Sequence, residues 1–531
     1  MQSLSNFFDR FPKYILLAPG WPCKAMDGPV PGSWRESLDL RNVELLYVFG
    51  IGDGSAYLHL KEWLHQDPMR RVVFFEEDPA AVASLLEAGT DLFADRQVDF
   101  ELLEPDSIER FAQKYPVSRI EVVAIPSYPI ARFRKQRLAI LRKTSLASAL
   151  FVDRLNGCRL FENFVQNVTQ FQGGFYANGL HNSFQGMPAI ICGAGPSLQS
   201  AIPMLKQLEG RAIIIAGGSA IAALTAAGIQ PHFGVAVDPN FEEYHRFRNS
   251  FFFEGPLILS TRVCPAIFGT CNGPFGYVRS GTGGAAELWL EKELGLTDPL
   301  LTECMPEESM SVTTIALAFA AHIGCTTIVL SGMDLAYTGG KRYTPGVCHE
   351  KTNGQENNEK KNAADRIVRR KSKTGKFVDS AIRWVMEAAS IAQFAKKHPH
   401  IQWINATPGG LSIRGIQEQS LESVALVNMS KRYDIRGKIA REIMLHPMPA
   451  ISENILQKLQ DSIGRVIGHL EILADVKMGS KALAECDLDE ELATEVLFYD
   501  MPTILAQAER LGLEKQGWAL YLEIAGLYQA D

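Results

Sequence analysis

Short runs of β-branched and aromatic residues alternate with helical patterns from about residue 43 to residue 410. A first series of such runs covers residues 45–49, 72–75 and 122–125. A second, more apolar series covers residues 189–192, 212–216, 233–237, 257–259, 327–330 and 401–404. Nearly continuous apolar runs separated by helices are typical of parallel strands that are covered on both faces. The pattern therefore predicts an α/β protein with two Rossmann-like parallel-sheet domains.

The segments between and after these two series have no strand pattern. Residues 132–172 are polar and mostly helical in pattern, and after Ile416 apolar residues recur only at helical spacing. We therefore predict an N-terminal Rossmann-like domain (1–130), a helical connection (131–180), a central domain (181–415) and an all-helical C-terminal domain (416–531). The polar segment between Tyr337 and Phe377 is long for a connection, which is typical of a lid or a disordered insertion.

Composition excludes several classes of protein. With 53 Lys+Arg and 60 Asp+Glu, the net charge of −7 argues against a protein that binds nucleic acid by bulk electrostatics. No apolar run approaches the roughly 20 residues that span a bilayer, and the first residues do not have the pattern of a signal peptide. The 9 cysteines include no CxxC pair, which favours a reduced compartment and no zinc site. We expect a cytoplasmic protein with no membrane span.

A glycine-rich turn, Gly50 to Gly54, directly follows the first apolar run. The next run ends in Glu76, Glu77 and Asp78, where an acidic side chain can bind a ribose. This arrangement is typical of the nucleotide half of a Rossmann or methyltransferase-type unit. The alternative is a tight strand-to-helix turn with an acidic cap and no ligand.

A second glycine turn opens the central domain. Gly193 and Gly195 follow the strand at 189–192 and place no side chain where a phosphate or ribose would approach. Pro196 suits a first helical turn, and Ser197 with the free N–H groups of that turn would form an anion cradle.

The ends of the following strands carry further polar residues. Gly218 and Ser219 follow the next strand, and Asp238 follows the one after it. Because the carboxyl ends of parallel strands face one crevice, these groups should lie near the first turn. Each motif alone is also explained by turn chemistry, but three in register favour a binding site.

Two later segments complete the candidate site. Ser311 opens an alanine-rich helix, and the strand that follows this helix continues into Gly332, Asp334, Tyr337 and Thr338. Ser311 is also a typical helix N-cap, and Asp334 is also a typical strand-end turn residue.

These motifs together resemble one family of proteins. The chain is similar to motility-associated factors, whose central domain is called MptE-like after an archaeal 6-hydroxymethylpterin diphosphokinase. The resemblance covers about residues 185–415 and rests on residues 193–198, 216–219, 237–239, 311–314, 331–340 and 404–410. Residues 195–198 and 330–334 also resemble motifs of bacterial sialyltransferases that use CMP-sugars.

The resemblance implies a function and roles for individual residues. Bacterial members of the family are implicated in adding nonulosonic acids, which are sialic-acid-like sugars, to serines and threonines of flagellin. The implied partners are a CMP-sugar donor and a protein acceptor such as flagellin, with no cofactor or metal. Asp238 and Asp334 would be catalytic residues of the transfer site. The donor or its nucleotide would be bound by Gly193, Gly195, Pro196, Ser197, Gly218, Ser219, Ser311, Gly332, Tyr337 and Thr338.

The reaction and its alternatives place different demands on these residues. Glycosyl transfer needs a base for the acceptor hydroxyl, and His349 is the histidine nearest the motifs, although a solvated loop histidine is the more common explanation. A basic cluster from Lys360 to Lys376 would clamp phosphates or form a charged surface. The main alternative is a pterin diphosphokinase that uses ATP and Mg²⁺, with Asp238 and Asp334 as metal-associated acids. A non-catalytic sugar- or nucleotide-binding protein is the third possibility.

Overall fold

The structure, a computed structural model, describes residues 7–15, 20–26, 28–117, 119–155, 157–282, 284–305, 311–347, 367–461 and 464. The chain divides into two compact units, of which the first runs to Val152 and the second begins at Asp153. No helix among the described residues is both long and apolar enough to cross a membrane.

The first unit is built on a parallel sheet of four strands in the order β3-β2-β1-β4. Its strands are β1 (Leu45–Phe49), β2 (Arg71–Glu76), β3 (Val98–Leu102) and β4 (Ile120–Ala124). Its helices are α1 (Gly32–Glu36), α2 (Ser55–His65), α3 (Pro79–Ala88), α4 (Ser107–Lys114) and α5 (Ile130–Leu155), and α5 continues into the start of the second unit. All five residues of β1 are buried, because helices cover both faces of the sheet at its centre.

The second unit contains a nine-stranded parallel sheet in the order β15-β14-β11-β6-β7-β8-β9-β10-β5. Its strands on the β6 side are β5 (Phe175–Tyr176), β6 (Pro188–Cys192), β7 (Ile213–Gly217), β8 (Phe233–Ala236), β9 (Leu257–Leu259) and β10 (Phe275–Tyr277). The remaining strands of the sheet are β11 (Thr327–Ser331), β14 (Gln402–Asn405) and β15 (Gln417–Glu418). An antiparallel pair, β12 (Ile367–Lys371) and β13 (Phe377–Ala381), forms a separate hairpin.

The helices of the second unit cover both faces of this sheet. They are α6 (Gly157–Asn167), α7 (Leu198–Leu208), α8 (Gly218–Ala226), α9 (Phe241–Arg248), α10 (Gly284–Glu293), α11 (Val312–His322), α12 (Ile382–Lys397), α13 (Leu421–Asn428) and α14 (Ile435–Leu445). Alternate residues of the central strands enter two separate cores: Ile190 and Ile214 belong to one, and Ile191 and Ile215 to the other. The continuous apolar runs in the sequence follow from this burial on both faces.

The predicted α/β class and the two parallel sheets are confirmed, with differences in detail. Every predicted apolar run coincides with a strand to within one or two residues. The helical connection predicted at 131–180 contains α6 and all but the first residue of α5, but it also contains the short strand β5 at the sheet edge. The end of the long polar segment is the strand β12 rather than part of a lid. Most of the predicted C-terminal helical domain, beyond residue 464, lies outside the described residues.

Candidate functional site

A cleft of about 200 Å³ lies at the carboxyl end of β6, in the second unit. From β6 the chain passes outward through β7 to β10 and then returns to β11 on the other side of β6. The strand order therefore reverses between β6 and β11, which is where open α/β sheets bind their ligands. Turns after β6, β7 and β11 form much of the wall, including Gly193, Gly195, Gly217, Gly218 and Gly332.

The glycines of the first turn allow it to pack directly on the turn after β11. The N–H groups of Gly193 and Gly195 donate to the carbonyls of Ser331 and Gly332, each at 2.8 Å. A Cβ atom at Gly193 would lie 2.7 Å from the Gly332 carbonyl oxygen, and one at Gly195 would collide with the Asp334 carboxylate. These glycines are therefore required by the contact between the two turns, whether or not a ligand also approaches them.

Asp334 joins the turn after β11 to the start of α7. Its Oδ2 atom accepts hydrogen bonds from the Ser197 hydroxyl at 2.5 Å and from the Ser197 N–H at 3.2 Å. The side chain is 1% exposed, and its Oδ1 atom has no hydrogen-bond partner among the described residues. A carboxylate of the protein thus occupies the start of α7, where the sequence predicted an anion cradle for a ligand.

The start of α8 faces the cleft, and no side chain caps it by a hydrogen bond. Its N-cap is Gly217, which has no side chain to accept hydrogen bonds from the first turn, and Gly218 and Ser219 line the cleft. The free N–H groups of a helix start favour an anion. A Cβ atom at Gly218 would lie 2.8 Å from both carboxylate oxygens of Glu243, so the glycine also allows this side chain to approach the helix end.

Glu243 on α9 is a buried acid in the wall of the cleft. The residue is 1% exposed, and Arg246 donates to its Oε2 atom at 2.7 Å, whereas its Oε1 atom has no hydrogen-bond partner among the described residues. Burial raises the pKa of Glu243 to about 7, although the positive charge of Arg246 opposes the shift. A carboxyl group with this pKa can accept a proton and return it near neutral pH.

A second acid, Glu387 on α12, lies across the cleft at the start of α11. Ser311 caps α11 through a reciprocal pair of hydrogen bonds with Thr314, and the Ser311 hydroxyl also donates to Glu387 Oε1 at 2.8 Å. Burial raises the pKa of Glu387 from its ordinary value, while the hydrogen bond from Ser311 and the charge of Arg383 act against this.

Most of the residues that line this cleft lie in a segment that matches a known protein family. Residues 162–340 match the family described as 6-hydroxymethylpterin diphosphokinase MptE-like. We call residues 162–340 the MptE-like segment because they are similar to that family. The match confirms the predicted resemblance to the MptE-like family for this segment, and it ends before α12 and β14.

A solved structure, that of a MAf glycosyltransferase from Magnetospirillum magneticum AMB-1, has 14% sequence identity and a TM-score of 0.47. The alignment covers 99% of this chain and 88% of that chain. Among curated proteins, no match is found.

Within the MptE-like segment, the structure brings some predicted residues into the cleft and leaves others outside. Predicted residues that line it are Gly193, Gly195, Gly218, Ser219, Gly332 and Asp334. Pro196 and Ser197 do not line it, because the start of α7 packs on Asp334. Ser311 lies behind the cleft wall, where it contacts Glu387. His349 lies outside the described residues.

Asp238 and Tyr337 also have positions that differ from the predicted ones. Asp238 Oδ1 accepts from the N–H and side-chain amide of Asn240, at 2.9 and 2.7 Å, so it shapes the turn into α9 rather than the cleft wall. Its Oδ2 atom is 3.9 Å from Arg246. Tyr337 is buried with its ring centroid 4.9 Å from that of Trp384, which lines the cleft. The Thr338 hydroxyl is buried beside the same turn.

A loop after β14 holds the Asp334 turn in place. Thr407 Oγ1 accepts from the N–H of Met333 at 3.0 Å, and the N–H of Leu411 donates to the Asp334 carbonyl at 2.9 Å. Gly410 has φ +76° and packs against that carbonyl, so a side chain is excluded there. The Asn-Ala-Thr-Pro-Gly-Gly motif therefore supports the cleft from outside the MptE-like segment.

The β12–β13 hairpin is attached to the same turn. The N–H of Tyr337 donates to the Asp379 carbonyl at 2.8 Å, and the Ser380 hydroxyl donates to the Leu335 carbonyl at 2.7 Å. Described members of the predicted basic cluster lie on this hairpin and none of them lines the cleft. Lys373 instead pairs with Glu418 at 2.9 Å.

Several residues of the cleft wall belong to no motif that marks a site in the sequence. They are Glu243, Arg246, Arg342, Tyr343, Trp384 and Glu387. A signal was present for Glu243, because buried Phe247 follows it at i+4 and an acid on the buried face of a helix is unusual. The described residues hold no group of three or more side chains that could bind a metal ion.

Proposed function

We propose that the cleft is the site of a transferase that binds a nucleotide-activated donor, and that the donor is a CMP-activated nonulosonic sugar. The observation that carries the proposal is the pairing of an uncapped helix start with a buried acid whose pKa is near 7, both at the reversal of strand order. The helix start suits the donor phosphate, and the acid suits an acceptor hydroxyl. The choice of a CMP-sugar rests on the resemblance of residues 195–198 and 330–334 to sialyltransferase motifs.

The cleft offers one group for each part of glycosyl transfer. Glu243 would take the proton of a serine or threonine hydroxyl of the acceptor as that oxygen forms a bond to the anomeric carbon. The bond between this carbon and the phosphate oxygen breaks at the same time, and CMP leaves with the electron pair. The N–H groups at the start of α8 and the guanidinium of Arg246, which also lines the cleft, would stabilise the phosphate of the leaving CMP. The acceptor in this proposal is a protein such as flagellin.

One observation favours a second candidate, transfer of diphosphate from ATP to a pterin. The Oδ1 atom of Asp334 is buried without a hydrogen-bond partner among the described residues, which suits a ligand of Mg²⁺. The description of the matched family names this activity. In this reaction Asp334 would hold the metal on the phosphates of ATP.

Calorimetric titration of the full chain with CMP, a CMP-nonulosonic acid and ATP–Mg²⁺ separates the two candidates. We expect the cytidine ligands to bind and release of CMP from the sugar nucleotide to be measurable. Glu243→Gln should keep CMP binding and lose about 10²–10⁴-fold in the rate of CMP release. Glu242→Gln is the matched control, since this neighbouring side chain is exposed.

Two results would overturn the first proposal. One is the absence of binding by any cytidine ligand, and the other is equal rates for the two glutamine variants. Binding of ATP–Mg²⁺ that Asp334→Asn abolishes would establish the second candidate instead.

A further inference from the structure

The first unit has a cavity of its own, of about 280 Å³, at the carboxyl ends of its strands. β1 lies between β2 and β4, and the chain runs from β1 through β2 to β3 before it returns to β4 on the other side. The order reverses between β1 and β4, as it does between β6 and β11 in the second unit. The cavity is therefore in the position at which a parallel sheet of this type binds a ligand.

The glycine turn after β1 forms one wall of this cavity. Gly50 and Gly52 both line it and have positive φ angles of +89° and +55°. A Cβ atom at Gly50 would lie 2.6 Å from Ile125 Cγ1, so the bare backbone of the turn packs on the end of β4. The wall thus presents backbone and the apolar side chain of Ile125, together with the ring of Tyr128. Surfaces of this kind accept the flat face of a base.

Two carboxylates at the end of β2 have different tasks. Glu76 is 8% exposed and accepts from the N–H groups of Ile51, Glu77 and Asp78 at 2.8–2.9 Å, so it fixes the turn. Glu77 is partly exposed and lines the cavity. Its Oε2 atom accepts one hydrogen bond within the protein and can accept another from a ribose hydroxyl.

Three side chains hold Glu77 in an ionised form. Tyr128 and Gln136 donate to its Oε1 atom at 2.6 and 2.7 Å, and Arg132 donates to its Oε2 atom at 2.6 Å. Burial raises the pKa of Glu77, but these hydrogen bonds outweigh it and lower the pKa below the ordinary value.

The charges around the cavity disfavour a phosphate. Asp53 Oδ1 accepts from the N–H and the hydroxyl of Ser55 at 3.0 and 2.5 Å, so an acid already occupies the start of α2. In dinucleotide-binding folds this helix start holds the pyrophosphate. The cavity itself is lined by the carboxylates of Glu76, Glu77 and Asp78 and by the cations of Lys24 and Arg132, and its balance is therefore acidic.

We propose that this cavity binds a nucleoside whose ribose diol contacts Glu77 and whose 5′ substituent is neutral or cationic and carries no phosphate. A sulfonium nucleoside has this chemistry, and so does an unsubstituted one such as adenosine. The proposal concerns the first unit alone and does not depend on the reaction proposed for the second.

Calorimetric titration of the full chain with S-adenosylmethionine, adenosine, NAD⁺ and ATP tests the proposal. We expect S-adenosylmethionine to bind more tightly than NAD⁺ or ATP, and comparison with adenosine shows whether the sulfonium charge contributes. Glu77→Gln should weaken binding at least about 10-fold, which is about 1.4 kcal/mol. Glu109→Gln, on α4 and outside the cavity lining, should leave it unchanged.

Two further variants guard against loss of folding and test the charge argument. Tyr128→Phe removes one hydrogen bond that positions Glu77 and should also weaken binding, with an unchanged circular dichroism spectrum. Asp53→Asn should raise the affinity for NAD⁺ relative to that for S-adenosylmethionine. Absence of nucleoside binding up to about 1 mM, tighter binding of NAD⁺ or ATP by the unaltered chain, or equal affinities of the Glu77 and Glu109 variants would each overturn the proposal.

Discussion

Replacement of Glu243 by glutamine should change how the stability of the second unit depends on pH. The structure raises the pKa of this carboxyl group from 4.5 to about 7, and the side chain is only 2% exposed. The folded state therefore holds the proton more tightly than the unfolded chain does. Protonation of Glu243 therefore contributes to the free energy of unfolding. This contribution is fully present below pH 4.5 and is lost as the pH rises to about 7.

The expected magnitude follows from the two pKa values. At ~1.4 kcal/mol for each pH unit between them, the ionised form costs about 3 kcal/mol above neutral pH. Glutamine cannot ionise, so Glu243→Gln should lack this loss. The variant leaves Arg246 without its carboxylate partner at every pH, which lowers its stability by a constant amount and does not affect the pH dependence.

Hydrogen exchange of the β7 and α8 peptides, measured from pH 5 to pH 8 and corrected for intrinsic rates, reports stability within this unit. Between pH 5 and pH 8, the opening free energy of Glu243→Gln should rise relative to that of the unaltered chain by about 2.5 kcal/mol, because part of the loss already occurs below pH 5. Glu242→Gln should run parallel to the unaltered chain. If the opening free energy of Glu243→Gln showed the same pH dependence as that of the unaltered chain, the raised pKa of this residue would be refuted.

Three other substitutions test the architecture of the cleft. Gly195→Ala should destabilise the second unit by about 1–3 kcal/mol in urea unfolding, because the new methyl group meets the Asp334 carboxylate, whereas Gly210→Ala has nothing within 4 Å and should be nearly neutral. Asp334→Asn should cost about 1.5–3 kcal/mol by weakening a charge-assisted hydrogen bond; an unchanged urea midpoint would contradict this role. Ser311→Ala and Ser420→Ala each remove a helix cap worth about 1 kcal/mol, but only the former should also lower the activity proposed for the cleft.

Much of the fold could be predicted from the sequence because the central strands are buried on both faces. The runs at β6, β7 and β11 are apolar throughout, so they stand out without knowledge of their neighbours. β3 was missed because it is an edge strand in which the acidic residues Asp99 and Glu101 alternate with apolar ones. The β12–β13 hairpin was missed because neither strand is a continuous apolar run: β12 carries three basic residues, and Asp379 and Ser380 interrupt β13.

The candidate site was predictable only in part, for a related reason. Strand-end glycines and Asp334 are recognisable because each directly follows an apolar run. Contacts between residues distant in sequence decide which polar groups of the site remain available to a ligand. The hydrogen bond between Ser197 and Asp334, 137 residues apart, is one such contact. Glu243 and Glu387 enter through the inward faces of helices, and this becomes visible only once the register of each helix is known.

The attachment of the β12–β13 hairpin beside the cleft has a consequence for engineering. Hydrogen bonds from Tyr337 to Asp379 and from Ser380 to Leu335 join the two ends of the segment that begins after the Asp334 turn. These bonds lie at the end of the hairpin opposite its exposed turn, residues 374–376, so they hold the hairpin in place independently of that turn. A fluorescent reporter or affinity handle inserted at this turn should leave the cleft wall undisturbed, because none of the turn residues lines the cleft, and it offers a place to immobilise the protein for screening nucleotide ligands.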